Sequence, residues 1–159
     1  MSGSARNISR VVALLFSLTL VALLSSVASA QDFAKATAAN AKQFVGTWKA
    51  SFQGHPFLTV TLSTDANRFV GTVSHADFEV NKDGELTKAD PNEGEDPIAD
   101  LRVAGDTLRI TVKSSDGSDD SIQSEIHLVS ANEADFRLVV PPDVPAPKPW
   151  RLQRVAATP

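Results

Sequence analysis

Residues 79–90 read EVNKDGELTKAD, with oxygen-bearing side chains at alternate positions leading to a glycine. Glu79, Asn81 and Asp83 hold positions one, three and five of this stretch, Gly84 position six and Asp90 position twelve. Calcium takes six to eight oxygens, and a glycine at the sixth position makes the sharp turn such a loop needs. Glu85 offers its backbone carbonyl, Thr87 its hydroxyl or a bridging water, and Leu86 stands where calcium loops carry an apolar residue. The expected metal ligands are therefore Glu79, Asn81, Asp83, Glu85, Thr87 and Asp90. Two positions depart from the pattern: Glu79 replaces an aspartate, and Asp90 replaces the bidentate glutamate. The competing reading is a solvated connection, because Asn, Asp and Gly also serve turns for conformational reasons alone.

This spacing resembles an EF-hand-type loop, but a strand pattern precedes it and Pro91 follows, so the paired helices of that motif are not expected. Other chemistry is thinly represented. His55 lies in Gly54-His55-Pro56, a turn sequence, while His75 and His127 fall on separate strand patterns with no zinc-type spacing. His75 and Asp77 share one face of a strand, a pairing common in any sequence. There is no G-x-S-x-G, no H-E-x-x-H and no glycine-rich phosphate loop. An enzyme is not expected, and no resident cofactor is called for; calcium is the one candidate ion.

The elements that position these residues are strands. Alternation of apolar and polar residues with short polar turns marks strands at 46–52, 57–63, 68–76, 98–103, 107–112, 122–129, 136–140 and 150–155. A long acidic loop is expected over 79–96, and polar turns at 65–67, 104–106, 114–120 and 131–133. Residues 141–149 (PPDVPAPKP) hold five prolines, which donate nothing to a ladder and favour an extended crossover. The alanine-rich segment 31–44 reads either as a short helix anchored by Phe33 and Phe44 or as a frayed lead-in. Eight short antiparallel strands predict an all-β fold, an up-and-down barrel or a sandwich; the eight-stranded up-and-down barrel is favoured, because pairing the first and last strands removes both sheet edges.

Gly46-Thr47-Trp48 at the start of the first long strand, with Trp150-Arg151-Leu152-Gln153-Arg154 at the end of the last, resembles the lipocalin-like (calycin) barrels. The chain looks more like the small lipocalin-like proteins exported by bacteria. The resemblance implies that Gly46 and Trp48 form the barrel floor and that Arg151 or Arg154 covers the tryptophan. The family's disulfide is absent, since the chain has no cysteine. Avidin-like barrels open similarly, but their ligand box needs several tryptophans and a tyrosine, and this chain has 2 Trp and no Tyr.

A barrel of this size is filled by its own side chains or holds one small ligand. The inward stripe Phe52, Leu58, Val60, Leu62, Leu108, Ile110, Ile126 and Leu128 would line such a cup, which suits a small apolar molecule: a lipid, a fatty acid or an aromatic metabolite. The rival is a filled structural or protein-interaction barrel, its partner unspecified, whose acidic loop and proline crossover are the working surface.

Residues 1–30 carry Arg6 and Arg10, an apolar run over 11–24 and Ala28-Ser29-Ala30, the pattern of a cleaved export signal. A periplasmic or secreted domain beginning at Gln31 is expected. Without Arg6 and Arg10, 13 of the 15 basic residues remain against 19 acidic ones, a charge of −6. Such a domain repels phosphate backbones, so nucleic acid is not an expected partner. No other apolar run approaches the length of a membrane span.

Overall fold

Inward-facing aliphatic stripes are buried together when two sheets pack face to face or when one sheet curls onto itself, and here the sheet curls. A computed structural model describes residues 31–156 apart from 92–93 and 114–120. The expected export signal over 1–30 and the polar turn at 114–120 therefore lie outside the described residues. The strands are β1 (Ala34–Lys35), β2 (Gly46–Phe52), β3 (His55–Asp65), β4 (Arg68–His75), β5 (Phe78–Val80), β6 (Leu86–Ala89), β7 (Gly94–Ala104), β8 (Thr107–Lys113), β9 (Ser121–Leu128), β10 (Glu133–Val139) and β11 (Trp150–Arg154). A closed antiparallel barrel of eight strands runs β2–β3–β4–β7–β8–β9–β10–β11 and returns to β2, with Lys49 opposite Gln153 and Trp48 opposite Arg154. No helix among the described residues is long and apolar enough to cross a membrane.

The meander gives the barrel two unlike ends. The β3–β4, β7–β8 and β9–β10 turns and the N-terminal segment gather at one end, the floor. The β2–β3 turn, the residues between β4 and β7 and the proline-rich 140–149 gather at the other, the mouth. Side chains from opposed strands meet in layers. Trp48 faces Val60, Leu108 faces Ile126, and Ala134 faces Leu152, all with essentially no exposure.

Three segments differ from the sequence expectation. The segment 31–44 forms no α-helix: it holds β1, which pairs with β7, and a 3-10 turn at Lys42–Phe44. Its course follows from a gap in the barrel. β4 pairs with β7 only from Thr72 to His75, opposite Gly94–Pro97, and Pro97 supplies no N–H to extend the ladder. The strands part there, and the N-terminal segment fills the opening. Ala34 and Lys35 pair with Val103 and Arg102, the Ala36 N–H donates to the Leu101 carbonyl at 2.9 Å, and Thr37 bridges to Arg68. The acidic loop is not one loop either. It contains most of a β5–β6 hairpin and the first three residues of β7, whose polar and charged residues hide the strand period. Finally, β10 starts at Glu133, within the expected turn.

Gly71, in β4, shows how closely the strands approach. A Cβ there would lie 2.7 Å from Leu62 Cδ2 and from the Thr61 carbonyl oxygen, and 3.1 Å from Ile98 Cδ1. Gly71→Ala should therefore destabilise the protein by about 1–3 kcal/mol, the usual cost of overpacking. Chemical denaturation checks this, and an unchanged midpoint would show that β4 relaxes without penalty.

Candidate functional site

The floor is packed solid around Trp48, which is 0% exposed. Its indole Nε1 donates to the Phe44 carbonyl at 2.9 Å. The Arg154 guanidinium lies 4.1 Å over its ring, in cation–π geometry. Arg154 also donates to three backbone carbonyls, those of Val45, Gln43 (2.7 Å) and Ala131 (2.8 Å), so one side chain closes the barrel end. Gly46 makes room for it: its φ is +133°, and a Cβ there would sit 3.1 Å from Arg154 Nη1. Arg151 points elsewhere and pairs with Glu133 and Asp135 at 3.4 and 3.0 Å.

The mouth half is not filled. A cavity of about 160 Å³ opens there, walled by every barrel strand except β2. Small residues in its wall contribute to it. In the layer where Ile110 faces β9 and Leu138 faces it from the other side, the residue between them is Ser124. A serine where neighbouring layers carry isoleucine is smaller by about two heavy atoms, and Ser74 and Ala76 add more space on the β4 side. Phe57, Leu58, Val73, Val112 and Ile122 complete most of the apolar wall.

One wall is aromatic. Trp150 stacks on its cross-strand partner Phe136 (5.7 Å between centroids, 4° between planes). It meets Phe57 and Phe78 edge-on at 5.2 and 4.8 Å. Such pairs add about 0.5–1.5 kcal/mol each beyond area burial. Among the described residues, Trp150 Nε1 is the one buried side-chain polar atom without a hydrogen-bond partner. Phe78 reaches the cluster from the β5–β6 hairpin and stays 37% exposed, while Ile122 on the rim is 59% exposed. The hairpin is held over the mouth by the proline crossover. The Lys148 N–H donates to the Gly84 carbonyl at 2.7 Å, and Lys148 Nζ pairs with Glu85 at 2.8 Å. Gly84 has φ +76°, and a Cβ there would meet the Ala146 carbonyl at 2.8 Å, so this contact requires glycine.

Of the eight residues expected to line a cup, Leu58 and Ile110 line the cavity. Val60, Leu62, Leu108 and Ile126 are fully buried in the packed half. Phe52 lies in an outer depression beside His55 and Thr87, and Leu128 at the floor near Arg154. The aromatic wall, Ser124 and Asp96 were not singled out from the sequence, although Trp150 and Phe136 open strands that alternation had located.

The six residues expected to bind calcium are dispersed along the hairpin. Asn81 Oδ1 accepts the N–H groups of Asp83 and Glu85, both at 2.9 Å, which builds the turn. Lys88 takes up Glu79 and Asp90 at 3.7 and 3.2 Å, Lys82 lies 3.5 Å from Asp83, and Thr87 donates to the Glu79 carbonyl at 3.1 Å. The hydrogen bond from Lys148 holds the Glu85 carboxyl below the usual carboxylate range. Among the described residues no three Asp, Glu or His side chains converge as a metal site. On the outer wall, Thr107 Oγ1 and Asp106 Oδ1 lie 3.1 and 3.4 Å from the same nitrogen of His127, Nδ1. A proton relay uses the two nitrogens of one ring for different partners, so this trio is not arranged as one.

Comparison with protein families, with curated proteins and with solved structures finds no match, so the reading of this site rests on its geometry.

Proposed function

We propose that this chain is an exported, lipocalin-like barrel that binds a small apolar molecule in the mouth-end cavity. The observation that carries the reading is the contrast between the two halves: one packed solid beneath Arg154, the other left open under an aromatic wall. An apolar cavity of about 150 Å³ accepts benzene, whereas drug-sized ligands need about 300–1,000 Å³. The size favours a single ring or a short branched chain over a long fatty acid.

Titration with toluene, read by tryptophan fluorescence, tests the proposal. Trp150 is expected to report binding and Trp48 to stay silent, so the Trp150→Phe variant should lose most of the signal. Ser124→Leu fills the gap between Ile110 and Leu138. It is expected to abolish binding and to stabilise the fold by about 0.5–2 kcal/mol, as cavity-filling changes do. No saturable signal, or a Ser124→Leu variant that binds as the parent does, would remove the ligand reading. The cavity would then be a packing gap, and the hairpin and crossover would stand as the surface of a structural or protein-interaction barrel.

A further inference from the structure

We infer that the ligand is a small ring compound bearing a carbonyl oxygen, which accepts a hydrogen bond from Trp150 Nε1. The inference rests on the ligand reading of the cavity and goes beyond it by giving the ligand a polar group and that group a partner. The two tryptophans make opposite use of the same donor. Trp48 is fully buried, and its Nε1 donates to the Phe44 carbonyl at 2.9 Å. Trp150 borders the cavity, and its Nε1 is buried with no hydrogen-bond partner among the described residues. A buried donor without an acceptor loses its hydration and gains nothing in return, which is why such groups are rare in folded proteins. The rings packed on this indole, those of Phe57, Phe78 and Phe136, carry no lone pair. A phenylalanine in place of Trp150 would continue the aromatic wall with no donor to satisfy. An indole is the better side chain there if the cavity receives an acceptor.

The indole fixes the polarity of the ligand's group, and the serines of the lining do not. An indole N–H donates and cannot accept, whereas a hydroxyl does both. Ser124 and Ser74 bring hydroxyls to the same cavity, and Ser74 Oγ already accepts the Thr59 N–H at 2.6 Å. The group that meets Trp150 must therefore be an acceptor. A carbonyl oxygen offers two lone pairs and brings no donor that would need its own partner in a mainly apolar chamber. Being neutral, it also escapes the heavy desolvation penalty of a carboxylate. Register places the two ends of the ligand. Trp150 stands opposite Phe136 and Ser124 opposite Leu138, so the indole and the gap beside Ser124 lie on the two strands that flank β10. A cavity of about 160 Å³ holds one ring, which seats its apolar body in that gap and turns its oxygen toward β11.

Cyclohexanone and methylenecyclohexane share one shape and differ only in an oxygen for a methylene group. Each is titrated calorimetrically into the parent protein and into Trp150→Phe, with a parallel proton–nitrogen NMR titration of the indole N–H signals. In the parent, cyclohexanone is expected to move the Trp150 indole proton downfield, as a new hydrogen bond does, and methylenecyclohexane is not. The Trp48 signal, already bonded to Phe44, should stay in place with both. In Trp150→Phe, cyclohexanone should lose about three- to tenfold in affinity relative to methylenecyclohexane, the share of one hydrogen bond. The hydrocarbon corrects for the change in ring size, and an unmoved Trp48 signal shows that the variant folds. A ratio of affinities unchanged by Trp150→Phe, or a Trp150 signal that answers both probes alike, overturns the carbonyl assignment. The indole would then rest its N–H on a phenylalanine face, a weaker contact. If Trp150→Phe does not fold, the indole signals of the parent decide alone. Binding of methylenecyclohexane without the carbonyl effect sinks this inference and leaves the ligand reading standing; no binding by either probe sinks both.

Discussion

Trp48→Ala is expected to cost about 3–5 kcal/mol, the range for a fully buried aromatic truncated to a methyl group. Three losses act together. The floor loses its largest fully buried side chain, packed against Val60 and Phe44. The Phe44 carbonyl loses the indole donor. Arg154 loses the ring beneath its guanidinium. A double-mutant cycle with Arg154→Met isolates the last of these, and coupling of about 0.5–2 kcal/mol is expected for a partly desolvated cation–π pair. Arg154→Lys should rescue little, because an ammonium cannot reproduce the planar fork that spans the carbonyls of Gln43, Val45 and Ala131. Urea denaturation of the four proteins gives the numbers. A loss below about 1 kcal/mol for Trp48→Ala would mean that the floor repacks without its tryptophan.

The barrel was legible because its strands obey period two. In β3, Leu58, Val60 and Leu62 alternate with Thr59 and Thr61, and in β8, Leu108 and Ile110 alternate with Arg109 and Thr111. The same parity contained an answer left open from sequence. Trp150, Leu152 and Arg154 share one face of β11 and Leu152 is fully buried, so the arginine over Trp48 had to be Arg154, with Arg151 turned outward to Glu133 and Asp135. What parity cannot supply is height along the barrel axis. Ile110 and Leu108 look equivalent in sequence, yet one borders the cavity and the other is packed beneath it. That difference depends on Ser124 lying opposite Ile110, a fact of register between strands. The calcium-type spacing failed to bring its residues together for a related reason. A twelve-residue ligand pattern presumes a loop that wraps inward. Here Asn81 spends its side-chain oxygen on the turn, and the Glu79 and Asp90 carboxylates turn to Lys88. The short β1 left almost no periodic trace, since it is two exposed residues held by backbone pairing and by the ion pair of Lys35 with Asp100.

Deleting residues 31–41 is expected to be the second most damaging change, although the segment contributes little apolar bulk. Its role is to satisfy an edge. Where β4 and β7 separate beyond Pro97, the N–H and C=O groups of β7 around Leu101–Val103 and the start of β4 near Arg68 take partners from the N-terminal segment. Removing it leaves roughly three to four backbone hydrogen bonds unmade, each worth about 0.5–1.5 kcal/mol net. The Arg109 guanidinium also loses the Phe33 ring 4.0 Å away, a further loss of about 0.5–1 kcal/mol for an exposed cation–π contact. Ala36 and Ala41, both buried, uncover the strands beneath them. The total is about 2–7 kcal/mol of stability, which denaturant unfolding would register. The exposed seam has a second consequence: unpaired strand edges recruit strands from other molecules. The truncated protein should therefore self-associate at concentrations where the parent is unchanged, as size-exclusion chromatography with light scattering would show. A synthetic peptide of residues 31–41 should reverse the association by re-pairing the seam, while a shuffled peptide should not. A truncated protein that keeps both the stability and the elution volume of the parent would show that β4 and β7 close on each other without the segment. The barrel would then owe nothing to its N-terminal strand.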